Sequence, residues 1–266
     1  MIKLVAIDLD ETLLRSNNTV SEYTKSVIQR ASHRGFHIVI ATGRMYQTAK
    51  PVGESLGLGD IPMILYSGGV IQHILSGKIV WEHTVPLSAM EKVYAITRQH
   101  DWYIQAYIED HLVCHHPTWQ SDKYVKQTGA KPEFLGDHLY DVEKEANKLI
   151  MIDTPDRIET IQTYMKDKLG TMVSIVRSQA DFLEIIGPDV SKGNALLHYG
   201  KSLGVTPEEM VMFGNSENDI SMLTLPGYAV AVGNAEDSVK AVADDICLSN
   251  EEDGVAHWIE THILEG

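Results

Sequence analysis

The first third of the chain alternates short apolar runs with amphipathic stretches. Lys3 to Ile7, His37 to Ala41 and Pro62 to Leu65 are rich in aliphatic and β-branched residues, and helical patterns near Ser21 to Arg34 and Arg44 to Leu56 separate them. Continuous apolar runs belong to strands covered on both faces, so this βαβαβ rhythm predicts parallel strands joined by right-handed crossovers. The rhythm returns near the C-terminal end. Met210 to Phe213, Tyr228 to Val232 and Ile246 to Leu248 read as strands, with helices from about Ser216 to Leu223, Ala235 to Val242 and Val255 to His262.

Between these halves the pattern changes. "VIQHI" and "KIVWEH", joined through Ser76 and Gly77, predict a hairpin leading out of the first half. A helix from about Leu87 to Gln99 follows, then "WYIQAYI" and "HLVCHH", close enough to pair as a second hairpin. "NKLIMID", a helix from about Arg157 to Leu169, "TMVSIVR" and "FLEIIG" complete a segment of paired strands interspersed with helices. The expected fold class is α/β: a doubly wound, Rossmann-like parallel-sheet core of residues 1–85 and 188–266, with an α+β module inserted over 86–187.

Composition narrows the partners. With 266 residues, 44% hydrophobic and 22% charged, the chain can bury one large core or two smaller ones. A formal charge of −15, with no Lys/Arg block, argues against nucleic acid. Cys114 and Cys247 lie far apart in sequence, which implies no disulfide framework and fits a reducing compartment. Met1 leads straight into the first strand, leaving no room for a signal peptide's apolar region, and no later run approaches membrane-spanning length. The expectation is a cytoplasmic protein with no membrane association and no obligate protein partner.

Ligands of open parallel sheets bind beyond the carboxyl ends of the strands, and there the residues turn polar. Asp8 and Asp10 follow the first strand, Thr42, Gly43 and Arg44 the second, and Asn215 to Asp219 the run "MVMFG"; Lys192 stands at the start of a helix beginning near Ser191. A buried strand ends on charge only at a cost, so these residues need a chemical reason. Phosphoryl transfer to an aspartate supplies one. Attack by a carboxylate on phosphorus forms an acyl phosphate but brings two anions together, and positive charge must offset their repulsion. A hard divalent cation such as magnesium would do so on one side. Lys192 and backbone N–H groups at helix starts after Asp8 and Thr42 would bind phosphoryl oxygens on the other. Asp10 is placed to protonate the leaving oxygen and then to activate water.

Together these residues resemble the haloacid dehalogenase (HAD) superfamily of phosphatases, and within it the Cof-like branch with a large α/β cap. "DLDETLL", "IATGR", "SKGNAL" and "GNSENDISML" occur in order, with a cap-sized insertion between the second and third, so the likeness spans essentially the whole chain. The resemblance implies Asp8 as nucleophile, Asp10 as general acid/base, Thr42 and Lys192 as phosphate ligands, and magnesium as cofactor. It places Gly43, Arg44 and Asn218 toward the phosphate or substrate, and Asp8, Asp10, Asn215 and Asp219 at the metal. An arginine in a first helical turn is also explained by a simple ion pair.

Three positions depart from the family pattern. Asn215 stands where a metal-binding aspartate is usual, removing one negative charge; its amide oxygen can still coordinate, and its plain alternative is a helix cap. Glu11 replaces the commonest glycine and is tolerable where the loop backbone permits it and the side chain points away. "YSGG", Tyr66 to Gly69, replaces Asn-Gly-Ala. The run Cys114, His115, His116 invites a zinc reading, but strand neighbours face opposite sides and leave too few ligands on one face. The functional expectation is a magnesium-dependent phosphatase acting on small phosphorylated metabolites, sugar phosphates foremost, with the inserted module as a substrate-selecting cap. The alternative is a catalytically weakened relative that binds a phosphorylated ligand or partner without efficient turnover. A phospho-accepting signalling receiver is disfavoured, because the large insertion has no role there and the reactive aspartate here ends the first strand.

Overall fold

The computed structural model describes residues 1–265, and the chain divides into two compact units. One comprises Met1–Gly43, Ala49–Trp81 and the chain from Ser191 onward; the other comprises Arg44–Thr48 and Glu82–Val190. The chain begins with β1 (Leu4–Asp8), α1 (Glu22–His33), β2 (His37–Ala41), α2 (Tyr46–Ser55), β3 (Pro62–Leu65), β4 (Val70–His73) and β5 (Ile79–Glu82). It continues with α3 (Leu87–His100), β6 (Gln105–Ile108), β7 (His111–Cys114), α4 (Trp119–Thr128), β8 (Pro132–Phe134), β9 (Lys148–Ile152), α5 (Pro155–Leu169), β10 (Ser174–Gln179) and β11 (Phe182–Ile186). It ends with α6 (Lys192–Leu203), β12 (Met210–Gly214), α7 (Ile220–Leu223), β13 (Tyr228–Ala231), α8 (Asp237–Lys240), β14 (Asp245–Ile246) and α9 (Gly254–Ile259).

The first unit is built on a sheet of order β14-β13-β12-β1-β2-β3-β4-β5. β1 lies parallel to both β2 and β12, with Ile7 opposite Ile40 and Phe213, and β4 turns back antiparallel on β3. Leu4 to Ile7 are fully buried, as an apolar run in a sheet's centre requires. Strand order reverses at β1, because the chain leaves it for β2 on one side and returns as β12 on the other. Such a switch point is where α/β sheets bind ligands, and the carboxyl ends of β1, β2 and β12 deliver Asp8, Thr42 and Asn215 to it.

Two local expectations fail in this unit. No helix starts directly after Asp8: Leu9–Leu13 form a tight turn, closed by the Leu14 N–H on the Leu9 carbonyl at 2.8 Å. Asp10 is extended there (φ −76, ψ 125) and Glu11 is left-handed (φ 57, ψ 11), which prevents the aligned N–H groups of a helical first turn. Likewise α2 begins only at Tyr46, beyond Thr42, Gly43 and Arg44. Gly68, by contrast, is obligatory. Its φ is +109, and a Cβ on it would lie 2.2 Å from the Ser191 carbonyl oxygen, so only glycine lets this turn approach the start of α6.

The second unit carries a sheet of order β10-β11-β9-β6-β7-β8. Its neighbours pair antiparallel except β7 and β8. One face packs Leu149, Met151, Leu183 and Ile185 into a cluster with Val93 of α3 and Ile161 of α5. Strand alternation turns Tyr107, Lys148 and Glu184 to the other face, where the Tyr124 ring of α4 lies 6.1 Å from Tyr107 and 5.8 Å from Phe182. Lys148 and Glu184 form a buried ion pair at 3.0 Å. The sequence reading contains neither α4 nor β8. Among α4's residues only Ser121 and Tyr124 are buried, so the helix carries no apolar period. Its legible signal is the Thr118–Ser121 capping box.

Candidate active site

Asp8 is the last residue of β1 and Lys192 the first of α6, and both are buried. The Lys192 ammonium donates to Asp8 Oδ1 and to Asp219 Oδ1, each at 2.6 Å. Asp219 is fixed from its other side, since its Oδ2 accepts from the Asn215 and Ser216 backbone N–H groups at 2.9 and 3.1 Å. Both Asp219 oxygens are thus engaged in holding this corner together. Two glycines allow it: a Cβ at Gly214 would lie 2.6 Å from the Asp219 Cβ, and one at Gly193 would lie 2.0 Å from the Ser221 carbonyl oxygen.

The electrostatics follow from burial and crowding. Loss of solvent, then the charge of Asp219, pushes the Asp8 carboxyl up to about 7, while the Lys192 ammonium pulls against them. Burial by itself would lower the Lys192 ammonium, but Asp219 and then Asp8 overcome it and hold the group above its ordinary value. Lys192 therefore stays charged at neutral pH.

Thr42 is held through its backbone: its N–H donates to the Ile64 carbonyl at 2.8 Å and its carbonyl accepts from Ser67 N–H at 3.0 Å. Its hydroxyl reaches Asp10 Oδ2 at 3.5 Å. Asn218 is oriented by Ser216, whose hydroxyl donates to the Asn218 side-chain oxygen at 2.7 Å. Gly43 follows Thr42 within the first unit, whereas buried Arg44 groups with the second. Asp8, Asp10, Thr42, Lys192, Asn215 and Asp219 thus converge from four segments within one unit. Sequence reasoning assigned nothing to Thr12, Ser216 or Gly68. Thr12 lies inside "DLDETLL" as a polar residue before two leucines, and that interruption is its only signal.

The Asn215 carboxamide is central. One end of it lies 3.2 Å from Asp8 Oδ2, 3.2 Å from the Asp10 carbonyl oxygen and 2.9 Å from the Thr12 hydroxyl. No three His, Cys, Asp or Glu side chains gather into a metal-binding group among the described residues. A carboxylate, a main-chain carbonyl and a carboxamide are nevertheless hard oxygen donors. Neighbouring ligands in a magnesium octahedron, with bonds of ~2.1 Å, stand about 3 Å apart, so the spacing found here fits that ion.

Residues 5–259 match the model of the haloacid dehalogenase-like hydrolases. The chain belongs to this family. It is 31% identical over 264 residues to the chloroplastic endoribonuclease YBEY of Arabidopsis thaliana, covering 95% of this chain but only 45% of that protein. It is 27% identical over 264 residues to the 5-amino-6-(5-phospho-D-ribitylamino)uracil phosphatase YitU of Bacillus subtilis, covering 97% of each. A solved haloacid dehalogenase-like hydrolase from Bacteroides thetaiotaomicron superposes with a TM-score of 0.87 at 27% identity, covering 98% of this chain and 99% of that one. The chain is thus a haloacid dehalogenase-like hydrolase whose full-length relatives include named phosphatases. None of its helices, among the described residues, is long and apolar enough to cross a membrane.

Proposed function

We propose that this hydrolase removes the phosphoryl group from small phosphorylated metabolites by way of an aspartyl phosphate on Asp8, with magnesium as cofactor. The observation that carries the reading is the placement of Asp8. One carboxylate oxygen is fixed by a buried ammonium at 2.6 Å, and the other faces the Asn215 carboxamide at 3.2 Å. Asp8 attacks phosphorus as the bond to the leaving oxygen breaks, and Asp10 gives its proton to that oxygen. Asp10 then takes a proton from water, which attacks the acyl phosphate and frees Asp8. The sum is monoester plus water to alcohol plus phosphate.

Lys192 and Thr42 hold phosphoryl oxygens, and Asp219 positions Lys192. Asp8, the Asp10 carbonyl and Asn215 would hold the magnesium ion, whose charge lowers the repulsion between phosphate and carboxylate. We assign the second unit the role of a cap that selects the substrate. The relative YitU bears the name of a phosphatase for a phosphorylated ribityl compound. Sugar and polyol phosphates are accordingly the first class to test. A cytoplasmic location suits such substrates.

The test is a panel of phosphorylated metabolites, assayed with magnesium and with EDTA. Magnesium-dependent phosphate release from one or more sugar phosphates, absent in Asp8→Asn, is the expected result. The Asn215 departure favours one other reading, a weakened relative that binds without turnover. Ligand binding by calorimetry with no phosphate release from any compound would establish it instead.

A further inference from the structure

Asn215 has two ways to sit in the same place, and they differ in what they need. With its side-chain oxygen turned inward, it accepts from the Thr12 hydroxyl at 2.9 Å. Asp8 Oδ2 and the Asp10 carbonyl then face that oxygen as acceptors, and three converging oxygens call for a cation between them. With the nitrogen turned inward, the NH2 group donates toward Asp8 Oδ2 and the Asp10 carbonyl at 3.2 Å and toward Thr12 Oγ1 at 2.9 Å. Thr12 suits both, because a hydroxyl can donate to the oxygen or accept from the nitrogen. Asn215 and Thr12 are both buried, at 8% and 1% exposure, so bulk water is a poor substitute for either partner.

Building on the cation reading above, we propose that the Asn215 carboxamide is an internal alternative to the metal. Nitrogen inward, it ties Asp8 to the Asp10 carbonyl by hydrogen bonds; a divalent cation binds only after the amide turns over and presents its oxygen. An aspartate at this position has no such second orientation. It adds another acceptor to the cluster and depends on the cation to hold it together. The substitution of amide for carboxylate therefore does two things at once: it steadies the site when magnesium is scarce, and it makes magnesium compete with a hydrogen-bonded arrangement.

The experiment compares thermal unfolding of the parent and Asn215→Asp in EDTA and across a magnesium titration, with magnesium binding measured by calorimetry. In EDTA the variant is expected to melt several degrees below the parent. With magnesium it should gain the larger rise in melting temperature, at a midpoint at least tenfold lower in magnesium. Equal melting in EDTA, with magnesium binding to both proteins, overturns the proposal and leaves the cation reading intact. Absence of magnesium binding to either protein overturns the cation reading itself. Should the variant fail to fold in EDTA, the parent decides alone. Its 15N-labelled Asn215 NH2 signals should exchange with solvent more slowly in EDTA than in saturating magnesium, and exchange that magnesium leaves unchanged overturns the proposal.

Discussion

Two lysines in this molecule are equally buried, at 1% exposure, and serve different ends. In the first unit Lys192 donates to Asp8 and Asp219 together; in the second Lys148 meets Glu184 at 3.0 Å and lies 5.2 Å from the centre of the Tyr107 ring. The Lys148–Glu184 pair sets an ammonium against a carboxylate on the buried face of a sheet. Around Lys192 two carboxylates face one ammonium, and burial first, then the charge of Asp219, raises the Asp8 carboxyl to about 7. Burial alone therefore does not tell the two lysines apart. Their surroundings do: Lys192 meets a second carboxylate, and one of its partners ends a strand with its other oxygen turned to the Asn215 carboxamide.

The comparison breaks most sharply at Asp8. Asp8→Asn keeps the volume and a hydrogen bond to Lys192 but removes the carboxylate we propose attacks phosphorus, so turnover should fall at least about ten-thousandfold, roughly 5 kcal/mol of barrier. The melting temperature should stay within a few degrees of the parent's. A steady-state assay on protein freed of contaminating phosphatase checks this, and residual turnover within tenfold of the parent would remove Asp8 from the role.

At the other lysine the same kind of change should act on stability instead. Lys148→Met leaves Glu184 buried without its ammonium and should cost about 3–5 kcal/mol in denaturant unfolding. The double variant Lys148→Met/Glu184→Leu should recover most of that loss, because a well-packed apolar pair often replaces a buried ion pair at little net cost. Failure of the double variant to recover would mean that this pair holds more than its own charges.

Asp219→Asn probes the first cluster at lower amplitude. Asp219 keeps its backbone anchors only through Oδ2, accepting from Asn215 and Ser216 N–H at 2.9 and 3.1 Å, while Oδ1 meets Lys192. An amide can present one oxygen to one of these sides and not both. Lys192 should lose definition and turnover should drop about tenfold to a hundredfold, roughly 1.4–2.7 kcal/mol. An unchanged rate would show that Asp8 alone positions the ammonium.

The two regions also differ in how much of them the sequence discloses. The core's strand ends were legible because apolar runs stop abruptly on Asp8, Thr42 and Asn215, and parallel-sheet topology sends those ends to one edge. The turn after Asp8 was not, since Glu11 is not a residue type that announces a left-handed backbone. In the second unit, Lys148 and Glu184 stand within otherwise apolar strands and belong together only through the β9–β11 register, which sets Glu184 opposite Ile150, two residues from Lys148 on the same face. Helix α4 hid for a related reason, burying too few residues to leave a period.

The smallest effect tests that illegible turn. Glu11 holds φ 57, a conformation costing a side-chain-bearing residue about 1–2 kcal/mol, and its exposed side chain leaves the fold little to lose. Its carbonyl accepts from the Asn234 side chain at 2.8 Å, a contact that glycine retains. Glycine relieves the strain but enlarges the conformational freedom of the unfolded chain, which offsets about 0.4–1 kcal/mol of the gain. Glu11→Gly should therefore stabilise the protein by roughly 0.5–1 kcal/mol in denaturant unfolding. A loss of stability instead would show that the glutamate side chain makes a contribution larger than the strain it imposes.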